Sequence, residues 1–360
     1  MKRLLLASFA MGPLLSGCYL TTQSASFLSM QFSAKSTARL LKDPALPEGT
    51  RKFLELVNGI KAFGREELGL ASGKNYTTYV FLDRSWVALV VQAAPELSLD
   101  PWFWNYPVVG KLPYRGFYRE ADARREAERL KEKKLDVIIR GVDAFSTLGF
   151  FKDPLYSFME EYSEYELARL ILHEETHATL FLKKHADFNE ELAVFVGDTG
   201  ALAYMQWKYG DAAEAEERER IAFQAADKET FRRDILELAS RLRPLYGDES
   251  LSRDEKLLRK NEIISLFQTE FRDSYAIKYR TENYRDFSDM RINNAYISLY
   301  LLYGERQDSF SAVYEGYDGD LAGFIADIVR EAKKANRRRD SPWTALEYIA
   351  APSDIIPEAE

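Results

Sequence analysis

Apolar positions along the chain fall into two regimes. Up to about residue 165, strand-like and helix-like patterns are interleaved; beyond it, apolar residues recur at helical spacing almost throughout. Residues 38–70 read as helical, with Pro44 and Pro47 as punctuation and Gly64 and Gly69 near the end. Tyr76–Leu82 and Ser85–Val91 are rich in aromatic and β-branched residues and predict strands. The Pro- and Gly-containing stretch 101–118 predicts short strands and turns. Glu120–Lys134 predicts a charged helix, Leu135–Val142 a strand, and Ala144–Pro154 an extended or looped stretch. Leu167, Leu170, Ile171 and Leu172 then form an apolar stripe. Glu191–Tyr209 predicts another helix. Glu214–Leu242 and Arg253–Arg285 predict charged helices, paired as a long hairpin or a bent pair. Ala295–Tyr303 and Leu321–Lys334 close the fold. The fold class is therefore α+β and predominantly helical. It is expected as one domain with two lobes, an α+β lobe over 38–165 and a helical lobe over 166–350, with a loose tail at 351–360.

The N-terminus changes this picture. Lys2 and Arg3 precede an apolar run, Leu4–Leu15, too short to span a bilayer. Leu15-Ser16-Gly17-Cys18 looks like a bacterial lipobox, so residues 1–17 read as a lipoprotein signal peptide and Cys18 as the lipid-attachment site. Residues 18–37, rich in Ser, Thr and Gln, suit a tether. The expected location is the cell envelope, lipid-anchored on a membrane. Tyr19, not an acid, follows the Cys, which favours the periplasm-facing outer membrane. Cys18 is the chain's one cysteine, which excludes an intramolecular disulfide and a Cys-based zinc site.

Composition narrows function further. A net charge of −8 and a pI of about 5.3 argue against a nucleic-acid partner. The basic cluster Lys333–Arg339 reads as the solvated end of a helix, with a phosphate-bearing surface as the alternative.

The chain holds three histidines, and His173 and His177 stand four apart on a predicted helix, with Glu174 directly after the first. Positions i and i+4 share a helix face, so both imidazoles can reach one tetrahedral Zn²⁺. Glu174 is angled toward the open coordination position, where it can act as the general base. A third ligand is required. His185, after Lys183-Lys184, reads as a surface cation at a helix end. Asn189-Glu190-Glu191-Leu192-Ala193 offers a carboxylate, Glu190 first and Glu191 as the fallback. Eight more helical residues after His177 would carry the chain about 12 Å away. The helix must therefore end soon after Phe181, or the next helix must cross back sharply, with Asp187-Phe188-Asn189 as the turn. Asp198 could share the ligands' face and accept from a ligand histidine.

Several blocks resemble the bacterial predicted-aminopeptidase family of HExxH zinc metallopeptidases. They are Pro113–Tyr118, Glu120–Ala123, Ser146–Leu155, His173–His177, Phe188–Ala193 and Asn293-Asn294-Ala295, in order, with the densest match over Tyr106–Met205. The resemblance implies a zincin-like fold, with a small N-terminal sheet packed on the active-site helix. It implies a gluzincin-type site with Glu190 as third ligand and one Zn²⁺ per chain. Two positions depart from the family pattern: Glu175, usually apolar, and Phe195-Val196-Gly197-Asp198, where acids usually stand.

The expected activity is zinc-dependent hydrolysis of a peptide bond, as an aminopeptidase acting on a peptide substrate. The stretch Val142–Gly149 is expected to line the cleft and pair with an extended peptide. Tyr114, Arg115, Arg291, Asn293, Asn294 and Tyr300 are candidate donors to the tetrahedral oxyanion. Glu191 or Asp153 could hold the substrate's amino group. Two other readings stand beside this one. One is a non-catalytic surface lipoprotein that binds a partner through the helices of 211–285. The other is a zinc hydrolase of a non-peptide amide.

Overall fold

Helix forms wherever the 3.6-residue apolar spacing is sustained, and strands are confined to short β-branched and aromatic runs. In chain order the elements are α1 (Leu14–Ser33), β1 (Lys35–Ser36), α2 (Thr37–Leu40), α3 (Glu48–Glu66), β2 (Thr78–Val80), β3 (Ala88–Pro95), β4 (Trp104–Tyr106), β5 (Gly110–Leu112) and β6 (Arg115–Phe117). They continue with α4 (Glu120–Lys131), β7 (Leu135–Val142), β8 (Leu155–Tyr156), α5 (Glu164–Thr179), α6 (Ala186–Tyr209), α7 (Asp211–Gly247) and α8 (Arg253–Lys278). The last are α9 (Asn294–Leu302), α10 (Asp308–Tyr314), α11 (Leu321–Arg338) and α12 (Thr344–Ala350). The computed structural model describes residues 14–71, 73–106, 110–143, 153–183, 185–302 and 308–350. The expected signal-peptide start, most of the cleft-lining stretch 142–149, and the tail 351–360 lie outside them.

The structure is a predominantly helical α+β fold, but the strands form three small sheets among the described residues, not one: β1-β2-β8, β6-β3-β7 and β4-β5. The first is mixed, with β2 antiparallel to β1 and parallel to β8 through Tyr79↔Leu155. The second is antiparallel, with Ala88↔Val142 through Pro95↔Leu135. Its central strand β3 is buried almost end to end, which explains its near-continuous apolar sequence. Leu89, Val91 and Ala93 pack with Ala123 and Leu130 of α4. Successive side chains alternate across a strand, which leaves the other face of β3 and β7 to α9.

Packing does not divide at residue 165. α3 and the β1-β2-β8 sheet share their core with α5, α6, α11 and α12, through residues such as Val57, Ile60, Leu155, Ile171, Phe188 and Phe324. A second core joins α7, α8 and α9 through Phe231, Leu238, Phe267, Phe271 and Ile297. Arg241–Glu270 (2.7 Å) and Lys278–Asp234 (3.0 Å) ion pairs fix α7 and α8 as an antiparallel hairpin. A Ser252–Glu255 capping box starts its second arm.

The expected tether is helical instead. α1 covers most of residues 18–37. Tyr19 donates to the Gly116 carbonyl at 2.6 Å, and its ring meets Phe117 edge-on at 5.4 Å. Gln23 accepts from the Tyr118 amide at 2.8 Å, and Met30 is buried. Tertiary contact outweighs a polar composition here, as it commonly does for helices whose own propensity is weak. No helix among the described residues is long and apolar enough to cross a membrane.

Candidate metal centre and active site

α5 begins at a capping box: the Ser163 hydroxyl accepts from the Glu166 amide at 3.2 Å, and the Glu166 carboxylate accepts from the Ser163 amide at 2.9 Å. Tyr165, Leu167, Ala168, Ile171, Leu172, Glu175 and Thr176 form its buried face. The register that buries these residues turns His173, Glu174 and His177 toward a partly open side.

The turn that the spacing demands is present, but it precedes Ala186, and the expected turn residues Asp187-Phe188-Asn189 lie in the first turn of α6. α5 stops at Thr179 and α6 starts at Ala186. The buried Asn189 clamps the connection: its Oδ1 accepts from the Leu182 amide at 3.0 Å, and its Nδ2 donates to the Leu182 carbonyl at 2.9 Å. This clamp stands in for a conventional cap, since His185 at the N-cap makes no side-chain cap bond. Further along, α6 lies hard against α5. A Cβ on Gly197 would sit 2.9 Å from the Arg169 carbonyl and 3.2 Å from the His173 Cβ.

Glu190 is thereby brought to both histidines. Its Oε2 lies 3.7 Å from His173 Nε2 and its Oε1 3.3 Å from His177 Nε2. One ligand atom from each residue falls within 4.8 Å of the others. Four ligands at 2.0–2.1 Å in a tetrahedron stand about 3.3 Å apart, so the trio fits a zinc ion with little movement. Among the described residues it is the one group of His, Cys, Asp or Glu so gathered.

The electrostatics suit that chemistry. Burial, helped by the neighbouring His177, pushes His173 down to about 4, so its imidazole is neutral and available as a ligand. The Ala193 backbone also hydrogen-bonds this ring and opposes the shift. Burial disfavours charge on His177 too, but the Glu190 carboxylate prevails and raises it. The buried His177 Nδ1 has no hydrogen-bond partner among the described residues. Burial first, and then the charge of Asp153, push Glu174 up to about 7, against the pull of His177.

Other expected site residues have different partners. Asp198 pairs with Arg169 and not with a ligand histidine. Arg115 lies over the Tyr19 ring at 3.9 Å and pairs with Glu126 at 3.4 Å, which ties β6 to α1 and α4. The Tyr114 carbonyl accepts from the Tyr106 hydroxyl at 3.4 Å, in the same region. Asn293 donates to the Val137 carbonyl at 3.1 Å. Asn294, fully buried, donates to the carbonyls of Pro95, Glu96 and Ser98, each at 3.0 Å, and accepts from Tyr246 at 2.7 Å. These asparagines pin α9 to the ends of β3 and β7, so their amides are not free to serve a reacting group. Glu191 is half-buried beside Glu190.

Two residues outside the expected set lie around the candidate site. Tyr76 is buried with a left-handed φ of 58°, a strained backbone for a bulky side chain. After burial, the charges of Glu174 and Asp153 dominate its surroundings, and together they raise its hydroxyl well above the usual range. Lys61 from α3 lies 3.7 Å from Glu175 beneath the histidine helix. Burial pushes Glu175 up to about 7 against that ammonium.

A family profile described as "Putative aminopeptidase" matches residues 18–342. No curated protein and no solved structure matches the chain.

Proposed function

Since the chain belongs to the "Putative aminopeptidase" family, we propose that it is a zinc-dependent peptidase. It removes residues from the free amino end of peptides at the cell envelope. The observation that carries this reading is the convergence of His173, His177 and Glu190, from two helices, beside Glu174.

His173, His177 and Glu190 would hold the zinc, which when bound supplies Lewis acidity toward water and the scissile carbonyl. Glu174 accepts the proton of the attacking water and passes it to the leaving amine. A structural zinc site has no need of such a base. The half-buried Asp153 holds the substrate's ammonium group. Its carboxylate makes no hydrogen bond or ion pair among the described residues, and burial without a compensating cation raises its pKa. An incoming ammonium would relieve both that burial and the like charge of Glu174.

Cys18 would carry the lipid. The next residue, Tyr19, already packs on the sheet, so an acyl chain there would hold the domain close to the membrane.

The test is zinc content and hydrolysis of short peptides with free and acetylated amino ends. Wild type and Glu174→Gln should each bind about one zinc, with hydrolysis lost in Glu174→Gln. His173→Ala and Glu190→Ala should lose the metal, and Glu191→Ala should keep it. Undiminished hydrolysis by Glu174→Gln would remove the mechanism. Equal cleavage of the acetylated peptides would remove the amino-end preference.

A further inference from the structure

Glu175 lies between the two histidines in sequence but points the other way, into the core, where it is 2% exposed. Gly64 on α3 makes room for it: a Cβ there would come within 2.7 Å of Glu175 Oε2. Both carboxylate oxygens are buried without a hydrogen-bond partner among the described residues. The nearest cation is Lys61, itself 8% exposed, at 3.7 Å. A buried acid and a buried base are costly to hold away from water, so the arrangement calls for a reason beyond packing.

The other bonds of Lys61 supply one. Its ammonium donates to the Asn75 carbonyl at 2.7 Å and, at 3.4 Å, to that of Gly73. These two residues lie in the strap between α3 and β2. The Ala71 amide donates to Thr179 Oγ1 at 2.8 Å, and a Cβ on Gly73 would meet Ala178 Cβ at 3.1 Å, so the strap crosses the end of α5. Beyond Lys61, the strap holds the segment that carries Asp153. Asn75 Oδ1 accepts from the Asp153 amide at 3.2 Å, and the Tyr76 amide donates to the Asp153 carbonyl at 2.7 Å. One ammonium therefore joins the underside of the histidine helix to the segment that bears Tyr76 and Asp153.

We propose that Lys61 is a positioning residue. It holds strap 73–76, and with it Tyr76 and Asp153, in register with Glu174 on α5, and Glu175 offsets the cost of burying that ammonium. The functional part of this inference rests on the peptidase reading above; the structural part does not.

The experiment compares the full chain, zinc-loaded in detergent, as wild type, Lys61→Met, Glu175→Leu, Lys61→Met/Glu175→Leu and Lys61→Arg. The readouts are Tm, hydrogen exchange at the Tyr76 and Asp153 amides, and kcat and KM on an aminoacyl p-nitroanilide. Each single substitution at the pair leaves a buried charge alone, so Tm should fall in both and recover in the double variant. Exchange should follow Lys61 alone. It should be about tenfold faster or more in Lys61→Met and still so in the double variant, but near wild type in Glu175→Leu. The double variant should keep its zinc, and KM should rise by about tenfold with a smaller change in kcat, because the amine-binding acid has moved and the base has not. Lys61→Arg should restore part of the exchange protection. A double variant that regains wild-type exchange and KM along with Tm would overturn the proposal and leave Lys61 a mere counter-ion. If the wild type cleaves no aminoacyl substrate, the peptidase reading fails, and exchange still decides the role of Lys61.

Discussion

Asn189→Ala isolates the turn that brings the third carboxylate to the histidines. The side chain is 2% exposed and makes two bonds to one residue, accepting from the Leu182 amide at 3.0 Å and donating to its carbonyl at 2.9 Å. Truncation removes two neutral hydrogen bonds worth about 1 kcal/mol each in net terms. Leu182 is itself 5% exposed, so its amide and carbonyl lose their partner where water has poor access. If no water enters, the cost becomes roughly 1–3 kcal/mol per unsatisfied group in place of the net bond value, and it is less if one does. The expected loss is about 2–4 kcal/mol, measured by urea denaturation of the zinc-free protein so that metal binding does not mask it. Glu190 is the next residue, and the start of α6 has no side-chain cap to hold it otherwise. Zinc affinity, measured by competition with a chelating dye, should therefore weaken by about tenfold, equivalent to about 1.4 kcal/mol of lost preorganisation. Asn189→Asp retains an acceptor for the Leu182 amide but no donor for its carbonyl, and should fall between alanine and wild type. A stability loss below about 0.5 kcal/mol, with zinc affinity unchanged, would refute the clamp.

Two further substitutions test the scaffold around the site. Gly197→Ala places a methyl 2.9 Å from a backbone carbonyl of α5 and 3.2 Å from the His173 Cβ, neither of which is a flexible end that can move aside. It should cost about 1–3 kcal/mol, read as a lower Tm, and weaken zinc binding by displacing α6 from α5; an unchanged Tm would show that the helices part freely. Asn294→Ala removes the side chain that ties α9 to three carbonyls at the end of β3 and to Tyr246. It should destabilise by about 3 kcal/mol or more in denaturant while leaving zinc stoichiometry intact; loss of zinc would restore Asn294 to the site.

What the sequence made legible was mostly local. β7 was expected over Leu135–Val142 and has those bounds, and the charged helices after Glu120 and Glu214 stand near their expected ends, whereas the one from Arg253 stops at Lys278, short of the expected Arg285. The helix after Glu120 follows from neighbouring residues whose apolar period is clear. The small sheets were not so readable. β2 pairs with β8 through Tyr79 and Leu155, residues far apart in sequence whose short runs carry no register of their own. α1 was hidden for a related reason. Its Ser, Thr and Gln content gives little helical bias, and the contacts that order it come from β6 and the residue after it.

The same division runs through the site. The spacing of His173 and His177 is a property of one helix turn, and the distance argument after His177 forced a reversal that Asn189 and Glu190 meet. Asn293 and Asn294 show the converse. Paired amides beside a helix start look like ligand-binding groups, yet polar residues there also serve to satisfy strand ends, and only tertiary contacts distinguish the two uses. Lys61 did leave a trace. α3 buries Phe53, Leu54, Val57, Ile60, Lys61 and Gly64 on one stripe, so a lysine falls on an otherwise apolar face. Three residues of another helix separate His173 from His177, and one of them is an acid on the buried side. An unmatched cation on one apolar stripe and an unmatched anion on another must meet or be neutralised. Read together, Lys61 and Glu175 are a prediction of which helix packs beneath the histidines, and α3 is the helix found there.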